Sequence, residues 1–157
     1  MAVAVALLGL WLGGAFAWPG TSDERVQALA TGDLGARTGA ALALAREGSA
    51  ETLLVPALAD RDPNVRLLAA RLLLRRGSPA ALAAATAWVT IAGGRDRALG
   101  IVALRDAREL PAEARHATER ALVDGDVPLR VRALELLAAH PAPGQTAPFL
   151  RALDDDD

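Results

Sequence analysis

The chain of 157 residues has no cysteine, no tyrosine and no lysine. Without cysteine there is no disulfide framework, no thiolate metal site, no cysteine nucleophile and no lipid attachment through an N-terminal cysteine. Aromatic rings come only from Phe16, Phe149 and three tryptophans, a shortage that suits close-packed helices and argues against a β-rich fold. Each of the 17 basic residues is arginine, which reads as the trace of a GC-rich coding sequence and licenses no functional claim. The formal net charge of −2 includes the terminal Asp154–Asp157, so the remainder stands near +2. Such a chain has no overall electrostatic reason to seek nucleic acid.

What is present is a repeated segment: aspartate, spacer, arginine, then a ridge of alanine and leucine. Its clearest copy is Asp62-Pro63-Asn64-Val65-Arg66 followed by Leu67-Leu68-Ala69-Ala70-Arg71-Leu72-Leu73. An earlier copy, 29 residues before, places Asp33, Arg37, Ala40, Ala41 and Leu44 in register. A later one, 64 residues beyond, runs Asp126-Val127-Pro128-Leu129-Arg130 into Ala133, Leu136 and Leu137. Between them Arg97, Leu99, Gly100, Ala103 and Leu104 match Arg66, Leu68, Ala69, Leu72 and Leu73 at an offset of 31. A period of roughly thirty residues without strand signals predicts stacked helical hairpins forming a solenoid.

The hairpins are expected at about 23–30 with 33–46, 50–59 with 63–76, 79–91 with 95–108, and 111–123 with 127–139, leaving a terminal helix over about 146–153. Ser22, Ser49 and Ser78 read as helix caps, as do Asp33, Asp62 and Asp126, whose carboxylates can satisfy orphan N–H groups. Pro63, Pro79, Pro111 and Pro128 mark helix starts, where a missing N–H is tolerated. Pro56 is the exception, placed to kink its helix. Leu72 holds the ridge position of Ala43, Ala103 and Leu136 and is predicted to be buried between helix pairs.

The string Asp62 to Arg66 followed by Leu-Leu-Ala-Ala resembles the inner helix of a HEAT repeat, and in particular the short HEAT-like repeats first described in phycobilisome lyases. The resemblance covers about residues 22–153. It implies an all-α solenoid of about four hairpins plus a terminal helix, with the helices of Arg37, Arg66, Arg97 and Arg130 on the concave face. The third copy departs from the pattern, with Gly93-Gly94 replacing the Asp-Pro pair, and Gly39 stands where Leu68 does in the clearest copy.

No catalytic or cofactor constellation is present in the sequence. The recurring aspartates and arginines read as stacking residues, each arginine reaching a carboxylate of its own or the adjacent repeat. His116 and His140 neighbour no glutamate, so the His-Glu pairs that hold iron in HEAT-like deoxyhypusine hydroxylases are not expected. Gly93-Gly94 lacks the spacing and lysine of a phosphate loop. Neither an enzyme nor a cofactor or metal is indicated. A functional bias survives only in surface charge. The helices assigned to the concave face carry Arg71, Arg75, Arg76, Arg105, Arg108 and Arg132, beside Arg66, Arg97 and Arg130, against Asp96, Asp106 and Glu135. They form either a solvated face or a groove for an acidic protein or peptide segment.

Residues Met1 to Trp18 contain no charged side chain. Ala2 to Trp18, as a helix, would reach about 25 Å, short of a hydrocarbon core of roughly 30 Å. Ala15-Phe16-Ala17 fits a signal-peptide cleavage site, while Trp11 and Trp18 fit the interface of a retained anchor. A third alternative is a buried first helix of the solenoid; the first two give a leader over 1–20, a repeat domain over 21–153 and an acidic tail over 154–157. They also imply a cell-envelope location, in the periplasm or at the inner membrane, with membrane contact only through the leader. The expected role is a non-catalytic protein-binding scaffold. The alternatives are an accessory subunit of a phycobilin-lyase-like modifying complex and, third, a HEAT-like nucleic-acid binder. At the tail, Asp154–Asp157 either caps the last helix or stands where the next hairpin turns, with self-association through the open end as a consequence.

Overall fold

The computed structural model describes residues 20–47, 50–91 and 93–142, and every regular element among them is helical. The expectations for residues 1–19, for Ser49 and for the helix over 146–153 lie outside the described residues. The chain divides into two compact units, one up to Leu68 and one from Ala69 onward.

In the first unit α1 (Ser22–Thr31) packs on α2 (Leu34–Leu44), and α3 (Ala50–Leu54) runs into a 3₁₀ segment, Val55–Ala59. The cap of α1 is Thr21, not Ser22. The Thr21 hydroxyl accepts from the Glu24 N–H at 3.3 Å, and the Glu24 carboxylate accepts from the Thr21 N–H at 2.7 Å. This closes a reciprocal capping box that satisfies two orphan donors, and it frees the Ser22 hydroxyl to donate to Glu47 at 2.7 Å. Asp33 caps α2 as expected, accepting from the Ala36 N–H at 2.8 Å. At Pro56, expected to kink the helix over 50–59 or confine it to the stretch after Val55, the α-helix instead ends at Leu54: Pro56 has no N–H for a helical bond, and the chain tightens into 3₁₀ geometry from Val55.

Helix α4 (Pro63–Leu74) carries the division between the units. Beyond it, α5 (Pro79–Thr90) pairs with α6 (Gly94–Leu104), and α7 (Ala112–Ala121) pairs with α8 (Val127–Ala139). The two pairs also meet, α5 on α7 and α6 on α8, so first helices contact first helices and second contact second. Ser78 caps α5, with its hydroxyl accepting from the Ala81 N–H at 3.4 Å. Gly77 makes the turn before it possible at φ +80, a left-handed conformation that lets the Ser78 N–H reach the Leu73 carbonyl at 3.1 Å.

Two ridges hold the repeat together. Ala40, Ala69, Gly100 and Ala133 are all buried, and so are Leu44, Leu73, Leu104 and Leu137. Each pair is four residues apart and so shares one helix face. The first ridge must be small. A Cβ on Gly100 would stand 2.8 Å from the Ala85 carbonyl oxygen and 2.6 Å from a Val89 methyl carbon, so α5 and α6 approach too closely for a side chain there.

Leu72 is not buried as predicted; it is half-exposed. The buried residues of α4 are Val65, Ala69, Ala70, Leu73 and Leu74. They cover an arc of about 180°, and Leu72 falls just beyond its edge. The equivalent residues Ala43, Ala103 and Leu136 are buried as expected, so among these four positions Leu72 alone departs from the ridge. Leu73→Ala should cost about 2 to 5 kcal/mol, the range for emptying a closed leucine site, and Leu72→Ala clearly less. Urea denaturation of the two variants measures the ordering, and equal losses would contradict this register.

Candidate functional site

Charged side chains in this fold sort by depth. The deepest ion pair joins Arg37 of α2 to Asp60, with Arg37 Nε 3.1 Å from Asp60 Oδ2 and side chains only 5% and 8% exposed. The contact is an ion pair by distance, since Nε has no aligned hydrogen-bond acceptor. The same guanidinium donates to the Gly32 carbonyl at 2.9 Å. Asp60 serves three groups at once. Its Oδ2 faces Arg37, its Oδ1 accepts from the Asp62 N–H at 2.7 Å, and its carbonyl accepts from Arg66 at 2.9 Å.

The arrangement recurs in the second unit. Arg97 lies 3.0 Å from Asp124 Oδ2, Asp124 Oδ1 accepts from the Asp126 N–H at 3.1 Å, and its carbonyl accepts from Arg130 at 2.8 Å. The recurring arginines Arg37, Arg66, Arg97 and Arg130 are thus held by the turns that begin α4 and α8. The aspartates of the repeat motif itself do other work. Asp33 caps its helix, Asp62 accepts from the Asn64 N–H at 2.8 Å, and Asp126 makes no side-chain cap bond. The carboxylates that meet arginine are Asp60 and Asp124. They were legible as the first member of Asp60-Arg61-Asp62 and Asp124-Gly125-Asp126, two Asp-x-Asp turns 64 residues apart.

Nearer the surface, Arg71 and Arg75 of the α4 end both hold Asp106, Arg71 Nε on Oδ2 and Arg75 Nε on Oδ1 at 3.1 Å. Arg105 holds Glu135 of α8 at 2.8 Å. Burial pushes the Asp106 carboxyl up, but the hydrogen bonds and charges of Arg71 and Arg75 outweigh it and hold the pKa below its ordinary value. In the first unit Glu47 is likewise lowered by hydrogen bonds from Ser22 and Arg25. Of the arginines proposed from sequence, Arg71, Arg75 and Arg105 therefore lie along one strip crossing α4, α6 and α8 with Asp106 and Glu135. Arg108 and Arg132 are exposed and have no ion pair among the described residues, and Arg76 is exposed beside Arg75.

The histidines need one correction. His116 does have a glutamate beside it, with Nδ1 3.3 Å from Glu119 Oε2 one helical turn on, but His116 is largely exposed. His140 sits at the end of α8, with Nε2 3.1 Å from the Leu104 carbonyl oxygen and its own carbonyl accepting from Arg115 at 2.7 Å. No group of three or more His, Cys, Asp or Glu side chains among the described residues could hold a metal ion. No helix among them is long and apolar enough to cross a membrane. No protein-family model matches this chain, and no curated protein matches it.

The contrast in depth sets two expectations. Asp60→Ala strands a buried guanidinium and should cost about 3 to 5 kcal/mol. Asp124→Ala opens a pair 21% and 31% exposed and should cost nearer 1 kcal/mol. Chemical denaturation of both variants tests the ordering. Asp106 adds a pH dependence. Its folded pKa lies below the unfolded value, so its contribution is fully present above about pH 4 and is lost as pH falls through the lower folded value. The deficit of Asp106→Asn in urea midpoint should shrink between about pH 6 and pH 3; a constant deficit would show that the ion pairs are not its origin.

Proposed function

We propose that this chain is a non-catalytic binding module whose hairpins continue as a HEAT-like solenoid. In this reading it is exported or anchored through residues 1–18, and it holds an acidic protein or peptide segment against the arginines of its second helices. The observation that carries the reading is the strip on α4, α6 and α8. Arg71 and Arg75 there clasp Asp106 and Arg105 clasps Glu135, three cations to two carboxylates, while the exposed Arg132 of α8 and Arg108 of the turn after α6 have no ion pair among the described residues. Arg71, Arg75 and Arg105 are about half-exposed even when paired. Their guanidinium groups can thus meet a second carboxylate without being drawn out of a core.

The packing in the second unit supports the solenoid part of the reading, since first helices on first and second on second is how successive hairpins of a solenoid meet. The arginines are spread over the end of α4, the turn after α6, and α8 instead of gathered at one point, which suits an extended partner.

Labelled oligoglutamate, oligoglutamine and duplex DNA distinguish the outcomes. The wild-type chain should bind oligoglutamate in preference to oligoglutamine, and the binding should weaken as salt screens surface charge. Arg108→Glu with Arg132→Glu should weaken it by about tenfold or more while moving stability by no more than about 0.5 kcal/mol per site. Undiminished binding by the double variant makes the strip a solvated face. Duplex DNA bound as tightly as oligoglutamate would favour the nucleic-acid alternative.

A further inference from the structure

The first unit contains a cleft of about 420 Å³, within the range of small-molecule sites. Its walls are Val26 and Leu29 of α1, Leu53 of α3, and Pro56 and Ala57 of the 3₁₀ segment. Ala30, Ala59, Thr31, whose hydroxyl donates to the Gln27 carbonyl, and three charged residues, Arg37, Asp60 and Arg61, complete the lining. The site is therefore apolar with two cations against one anion.

The hydrogen-bond inventory shows which charge is already spent. Asp60 has one carboxylate oxygen facing Arg37 and the other accepting from the Asp62 N–H. Arg37, more than nine-tenths buried, has five N–H donors. Its described partners are the Gly32 carbonyl and the poorly aligned Asp60 oxygen, with Nε buried and lacking a hydrogen bond. Arg61 is exposed, and its guanidinium has no ion pair among the described residues. The cleft thus has surplus donors and surplus positive charge in an apolar setting, where a charge-assisted hydrogen bond is strongest.

We propose that this cleft binds a monocarboxylate with a short alkyl tail, the head on the donors of Arg37 and Arg61 and the tail along Val26, Leu29, Leu53 and Pro56. An amine would meet two like charges. A peptide backbone would bring N–H and C=O groups along walls that are chiefly apolar, each unpaired group costly; an alkyl tail brings none. The cleft lies in the first unit, separate from the arginines of the second unit that the acidic-partner reading uses, so the two can fail independently.

Octanoate, octanol and octylamine share a tail and differ in the head, and titration calorimetry with the full chain ranks them. Octanoate should bind, and octanol and octylamine at least about tenfold more weakly, in keeping with one charge-assisted bond gained or lost. Amide shifts on NMR titration should concentrate in α1, α3 and the 3₁₀ segment. Because Arg37 also supports the fold, two exposed lining positions carry the mutational test. Arg61→Glu should weaken octanoate by about tenfold, and Ala59→Trp should abolish binding by filling the cleft. Thermal melts confirm that both variants remain folded. The proposal is overturned if octanoate does not bind, if the three probes bind alike, or if both variants bind octanoate as the wild type does. Shifts confined to the second unit would overturn it as well.

Discussion

Placing a guanidinium in the middle of an alanine and leucine surface constrains everything around it. Arg66 lies at the centre of the buried arc of α4, between Val65, Ala69, Ala70 and Leu73 in projection. Arg37, the equivalent residue of α2, is itself buried. A cation there cannot shed its proton and must find acceptors. The turns preceding α4 and α8 supply them, each through a single aspartate. Asp60 and Asp124 each face the arginine of the preceding copy, hold an N–H of their own turn and offer a carbonyl to the arginine that follows. Such a relay is weak as net stabilisation, because desolvation offsets much of the attraction. Its effect is to penalise any other register, since a slipped helix would leave the charge unpaired.

The third copy shows what happens where the aspartates are missing. Ile91 and Gly93 stand at the positions of Asp60 and Asp62. Helix α6 accordingly starts from Gly93 with no side-chain cap, and Ile91 is left exposed. The copy compensates through packing. Gly100 allows α6 to approach α5 until no Cβ could be accommodated, and the closer contact increases dispersion between the helices. Small residues on the ridge and few aromatic rings are two aspects of this one solution.

Depth also separates structural arginines from those available for recognition. The same residue type forms a dry pair at Arg37, a half-wet one at Arg97 and solvated clasps at Arg71, Arg75 and Arg105. Coulomb attraction is attenuated progressively along that series, so the outer arginines can exchange partners at little cost, while Arg37 keeps its aspartate and has only its remaining donors to offer.

Period, composition and capping chemistry were sufficient to read the helices of the described residues and their order from the sequence, because each is encoded locally: Asp33, Ser78 and the prolines mark starts, and the alanine and leucine ridge marks the buried face. The cap at Thr21 was also local, in the Thr-Ser-Asp-Glu string, but Ser22 concealed it. What the sequence left open depends on residues brought together from distant positions. The carboxylates paired with Arg37 and Arg97 lie more than twenty residues away, at Asp60 and Asp124, and the repeat spacing left open whether such a partner came from the same copy or the adjacent one. The clasp of Arg71 and Arg75 on Asp106 and the burial of Leu73 ahead of Leu72 depend on how helices rotate against their neighbours. A repeat fixes that rotation only to within about one residue, or 100° of helix. The cleft of the first unit depends on α1, α3 and a proline-tightened 3₁₀ turn failing to close over a buried guanidinium. Only tertiary packing decides where such a gap remains, because no single segment contains both its walls.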